Sequence, residues 1–110
     1  VKSVTLCRGQ GSGLFPDAVS ERGRKHLRAL QSIRDERTRA LLFFCVFHSG
    51  VKRVSVAGDI DPLYRDTLQE AQAAGVEVLA WRADISPRGI VLQQALPFAL
   101  DPPAVLQQTE

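Results

Sequence analysis

The sequence predicts an α/β protein: a mixed, partly parallel sheet flanked by helices, in the order β-α-β-(β)-α-β-β. Three observations carry this. The run Arg39 to His48 (RALLFFCVFH) is almost continuously apolar, the signature of a strand buried on both faces, as in a parallel or mixed sheet. Helical segments alternate with strand-like ones, which favours helices layered on a partly parallel sheet. The chain has 110 residues, 45% hydrophobic and 24% charged, an ordinary globular composition for at most one domain with one modest core.

The elements follow in order. Val1 to Cys7 (VKSVTLC) alternates and is β-branched at Val1, Val4 and Thr5, which predicts a strand. Arg8 to Gly13 (RGQGSG) predicts a flexible Gly-rich loop and matches neither GxGxxG nor a Walker loop. Leu14 to Val19 is a connector in which Pro16 and Asp17 form a turn. A helix follows over 20–36, with Ser20 as its cap and Glu21 at the positive end of the dipole. Its wheel puts Gly23, His26, Leu27, Leu30 and Ile33 on the packed side and Arg24, Lys25 and Arg28 outside, among Glu21 and Asp35. Gly23 costs about 1 kcal/mol relative to Ala in a helix, which implies a close approach to a strand or a bend.

After the central apolar strand, Val51 to Ala57 (VKRVSVA) is either a short edge strand or a loop. Asp61-Pro62 is a strong helix start, Tyr64, Leu68 and Ala71 give an apolar stripe, and Gly75 suits the C′ position. Val76 to Arg82 is the next strand, Ser86-Pro87-Arg88-Gly89 a turn, and Ile90 to Leu96 an antiparallel return. Residues 101–110, with two prolines, form a flexible tail. Residues 67–86 place small residues Ala71 and Gly75 where a helix-turn-helix would need them. The supposed recognition helix, EVLAWRADI, reads better as a strand, and Trp81 better as a sheet residue than as a stacking platform.

Cys7 and Cys45 lie in apolar stretches without metal-ligand spacing and are expected as reduced core residues, as in a cytoplasmic protein. No apolar run reaches membrane-spanning length. The chain has no Met, begins at Val1, and enters a strand without polar lead-in, so it is expected to start inside a longer protein. Residues 1–53 carry 11 Lys/Arg against 4 Asp/Glu, and residues 54–110 carry 3 against 8. A basic half beside an acidic half points to one surface that faces a polyanion.

Several segments together are more specific than any motif: VKSVTL at 1–6, FPDAVSERGRKHLRAL at 15–30, FHSG at 47–50, DIDPLY at 59–64 and EAQAAGVEVLAWRADISPRGI at 70–90. Over about residues 1–100 the chain resembles the C-terminal domain of the sugar fermentation stimulation protein A family. The resemblance implies a PD-(D/E)xK nuclease-like fold, DNA as partner, and a link to regulation of sugar (maltose) metabolism. It also implies that residues 1–100 are a nuclease-like domain truncated at its N-terminus, lacking an OB-like domain and an upstream acidic motif. The family reads EVKSVTL where this chain begins VKSVTL, so Lys2 is the lysine of the (D/E)xK motif.

That motif has a physical logic. Phosphodiester hydrolysis needs a divalent ion held by carboxylates, with a lysine that orients water or stabilises developing charge. A carboxylate and lysine two apart on a strand share one face. The resemblance therefore implies Mg²⁺ in the full-length protein, no cofactor in this stretch, and no hydrolysis by it alone. Lys2 is an active-site-type position or a lysine kept in a non-catalytic binding site. Arg22, Arg24, Lys25 and Arg28 form a DNA-binding helix face or a solvated one. Asp17 is a turn former in preference to a metal ligand, His26 a core histidine in preference to a base, and His48 ends the central strand, where site residues gather. The oligomeric state is not legible.

Overall fold

The computed structural model describes residues 1–33 and 38–103. In chain order the elements are β1 (Lys2–Val4), β2 (Leu6–Arg8), β3 (Ser12–Phe15), α1 (Glu21–Ile33), β4 (Leu41–Val46), β5 (Arg53–Val56), α2 (Pro62–Ala73), β6 (Glu77–Ser86), β7 (Gly89–Leu96) and β8 (Phe98–Ala99). They build two four-stranded sheets, β1-β4-β6-β7 and β2-β3-β5-β8. In the first, β1, β4 and β6 run parallel and β7 returns antiparallel.

The apolar run that dominates the sequence is the interior strand β4, hydrogen-bonded to β1 on one side and β6 on the other. Leu42, Phe44 and Val46 point from one face into the main core, where they meet Leu27 of α1, Tyr64 and Leu68 of α2, and Val54 and Val56 of β5. Both helices and the second sheet therefore cover the same face of the first sheet. Phe44 sits at the centre, its ring 5.4 Å from Phe15 and 5.6 Å from Phe98.

Three expectations are corrected. Val1 to Cys7 is two strands, not one: the chain leaves the first sheet after Val4 and joins the second at Leu6. Thr5 marks the switch, and its hydroxyl donates to Asp17 at 3.2 Å. The break turns Cys7 outward, so it is exposed, while Cys45 is buried and desolvation raises its thiol pKa. The Gly-rich segment is a tight hairpin joining β2 to β3, with Arg8 opposite Ser12 and positive φ at Gln10 (66°) and Gly11 (78°). Finally, β5 is an interior strand, with β3 on one side and β8 on the other. The peptide Phe15-Pro16 is cis.

Both helix starts match the sequence. The Ser20 hydroxyl accepts from the Gly23 amide at 2.9 Å, and the Asp61 carboxylate accepts from the Tyr64 amide at 3.0 Å. Gly75, at φ 102°, follows the end of α2 as expected. Helix α1 is described as far as Ile33, which is exposed instead of packed, and the rest of the expected helix, with Asp35 and Glu36, lies outside the described residues. Residues 77–86 form a strand, which removes the helix-turn-helix reading, and Trp81 lies in it opposite Cys45. Of the expected tail, Asp101 is bound by Arg65 at 2.8 Å, and residues 104–110 lie outside the described residues. Among the described residues no helix is long and apolar enough to cross a membrane.

Candidate nucleic-acid interface

The geometry of α1 is set by one buried carboxylate. Asp61 accepts from the Ser20 amide at 2.7 Å with one oxygen and from the Tyr64 amide at 3.0 Å with the other. It thus caps α2 and holds the residue that caps α1. Where these helices meet there is no room at Gly23. A Cβ there would lie 2.5 Å from the Ser20 hydroxyl and 2.9 Å from the Tyr64 ring. The close approach inferred from this glycine is real, but its partner is a helix and not a strand. Burial raises the Tyr64 hydroxyl pKa far above its ordinary range, with the nearby Asp61 adding to the effect.

With Gly23 and Leu27 buried, the cationic side chains of α1 fall elsewhere on the helix. Arg22, Lys25 and Arg28 recur every third residue and are exposed, and Arg24, half-buried, is one turn from Arg28. Lys25 makes a loose, solvent-exposed ion pair with Glu21 at 3.8 Å. Among the described residues Arg22, Arg24 and Arg28 have no ion-pair partner, and Asp35, the other acid of the sequence wheel, lies outside them.

Lys2 is half-buried on β1, in register with Phe44, and so projects from the face that α1 covers. The side chain it meets electrostatically is His26. Burial, then the Lys2 charge, then the Val1 amino group, hold the imidazole pKa below its ordinary value. His26 Nδ1 is buried without a hydrogen-bond partner. The sequence-based site residues therefore divide into Lys2 with His26 beneath α1, and the arginine row on its exposed surface. Asp17 is exposed and engaged by Thr5, consistent with a turn former. Among the described residues no three His, Cys, Asp or Glu side chains gather to hold a metal ion.

A second basic group is absent from the sequence reading. The Arg53 guanidinium donates to the Gln10 carbonyl at 2.6 Å, Lys52 packs against Gly11, and Arg82 reaches the Ser49 carbonyl at 3.3 Å. These cations meet around the β2–β3 hairpin, beside an open pocket of about 140 Å³ lined by Cys7, Gln10, His48 and Gly50. His48 accepts from the Gly50 amide through Nδ1 at 3.0 Å. Lys52 and Arg53 are neighbours in sequence, but Arg82 and the hairpin lie far from them along the chain, so only the fold brings the group together. The glycines of the hairpin were the available signal, because its positive φ values are what let β2 and β3 turn so tightly.

Comparisons with known proteins agree with this architecture. Residues 1–89 match the family model described as the sugar fermentation stimulation protein RE domain. A sugar fermentation stimulation protein homolog from Teredinibacter turnerae is 54% identical over 100 residues, spanning 91% of this chain and 43% of that protein. The structure of Pyrococcus furiosus SfsA in complex with Ca²⁺ matches with a TM-score of 0.78 at 28% identity, over 90% of this chain and 43% of that one. The chain thus spans less than half the length of these relatives. Its mixed sheet with flanking helices is the fold that the resemblance implied, and the chain belongs to the sugar fermentation stimulation protein family.

Proposed function

We propose that this chain is a DNA-binding domain that recognises the phosphate backbone without sequence preference, in the service of sugar (maltose) metabolism regulation in the cytoplasm. The observation that carries the reading is the set of arginines on α1 without an ion-pair partner among the described residues: Arg22, Arg24 and Arg28, with Lys25 only loosely paired. Guanidinium groups held on a helix surface without a carboxylate partner suit phosphate oxygens, and each neutralised phosphate releases counterions. Binding to duplex DNA, followed by fluorescence anisotropy, should weaken steeply between about 50 and about 200 mM salt. Reversing Arg24, Lys25 and Arg28 together to Glu should cost at least roughly tenfold in affinity and flatten the salt slope by about 3. Unchanged affinity and slope in that variant would show that the helix face does not carry DNA.

A second reading is favoured by one observation: the Pyrococcus furiosus relative was solved in complex with Ca²⁺. In this reading the full-length protein is a Mg²⁺-dependent nuclease, with Lys2 as the lysine of its (D/E)xK strand and the carboxylates supplied from outside this stretch. The two readings separate when full-length protein is incubated with single- and double-stranded DNA with and without Mg²⁺. Cleavage that needs the ion and is lost in Lys2→Ala supports the nuclease. Retention without cleavage supports binding alone.

A further inference from the structure

The first sheet has two faces, and among the described residues only one is covered. Strand alternation puts Leu41 and Phe43 of β4, and Leu79 and Trp81 of β6, on the face opposite Leu42, Phe44 and Ala80. The pairs Ile85–Ile90 and Ala83–Leu92 extend that apolar surface along the β6–β7 hairpin. Leu41, Leu79 and Leu92 remain 44%, 46% and 48% exposed. A continuous patch of large apolar side chains on three neighbouring strands is unlike the scattered exposed leucines of an ordinary surface.

We infer that this face is the docking surface for the part of the family-length chain that lies outside these 110 residues. Three observations select that occupant. Strands β1, β4 and β6 are parallel, and sheets of parallel strands are found with both faces covered, because their crossover connections lay helices on them. The matched relatives devote more than half of their length to sequence that this chain does not span, which is ample for a covering layer. The face carries no Lys or Arg at its strand positions, and Glu77 at its edge is held by Arg39, so it offers a nucleic acid no row of cations like that of α1. A layer from the same chain also avoids the loss of translational and rotational freedom that a second molecule would incur.

Hydroxyl-radical footprinting of purified protein at full family length tests this without a mutation. Leucines are compared with leucines, each normalised to its rate in the urea-unfolded protein. Leu63, on α2 and 58% exposed, is the reference. If the inference holds, Leu41, Leu79 and Leu92 are protected at least about fivefold more than Leu63, at every protein concentration. Labelling of all three at the Leu63 rate would overturn it. So would protection that disappears on dilution in step with dissociation of a dimer, which would assign the face to a second copy.

Discussion

The two helices of this chain manage their arginines in opposite ways. On α2, Arg65 is fully engaged: its guanidinium grips Asp101 at 2.8 and 3.0 Å, Gln69 at 2.8 Å and Asp66 at 3.3 Å. On α1, Arg22, Arg24 and Arg28 have no carboxylate partner among the described residues. Both helices pack on the same face of the same sheet, but Arg65 is half-buried against its partners whereas Arg22 and Arg28 are exposed. The arginine of α2 fastens the segment after β8 to the body of the domain. The arginines of α1 hold no carboxylate among the described residues, and their mutual repulsion slightly opposes the helix that carries them. That arrangement is what the proposed DNA-binding role needs, and single variants in the two helices test it.

The two helices are nevertheless joined by Asp61, and breaking that joint should give the largest effect on stability. Asp61→Ala removes the acceptor from the buried Tyr64 amide and the part-buried Ser20 amide, and should cost about 3 kcal/mol. Asp61→Asn keeps one acceptor oxygen and turns an NH₂ donor toward the other amide, so it should recover no more than part of the loss. Urea denaturation with the m-value checked for constancy measures both. A cost for Asp61→Ala below about 1 kcal/mol would mean that water replaces the cap easily, and that the helix starts are independent.

The next contrast sharpens the difference between the helices directly. Arg65→Met should lower Tm by no more than a few degrees and leave DNA affinity unchanged, because that guanidinium already has its partners. Arg28→Met should do the reverse, weakening DNA binding with Tm unaffected. Equal losses of DNA affinity in the two variants would show that binding follows overall charge and not the surface of α1.

How far this contrast was visible in the sequence depends on the range of the interactions. The arginine row was legible because helical periodicity and the Ser20 cap are local, and both helix starts were legible for the same reason. The central strand announced itself because it is interior to the sheet and apolar on both faces, although the face of Leu41 is not covered among the described residues. The failures came where tertiary pairing decides. Thr5 has nothing in its neighbourhood to say that the chain changes sheets there. Arg53–Val56 is interior only because β3 and the two-residue β8 arrive on either side. Arg65 could not be assigned to Asp101, 36 residues away, by any periodicity. The strand that carries Lys2 was legible from its alternation, whereas the electrostatic influence of Lys2 on His26 needed the fold, because it joins β1 to α1 across the sheet face.

Titration should separate the two helices once more, with the smallest effect of the set. His26, beneath α1, is held below its ordinary pKa of 6.5 by burial and by Lys2. Above 6.5 it is neutral in both folded and unfolded chains. As the pH falls through 6.5 the unfolded chain takes up the proton first, so stability declines until the folded-state pKa is passed. Near α2, Asp101 is held below its ordinary 3.8, chiefly by its hydrogen bond to Arg65. Its contribution is complete above 3.8 and is lost only as the pH drops through the lower folded value. Stability measured by urea denaturation should therefore fall in two separate windows on acidification. His26→Gln should flatten the upper window alone, and Arg65→Met the lower one alone. If His26→Gln left the profile between pH 7 and 5 unchanged, the imidazole would be titrating as it does in water. Burial and the Lys2 charge would then not act on His26, and the distinction between the helices would rest on the exposed arginines alone.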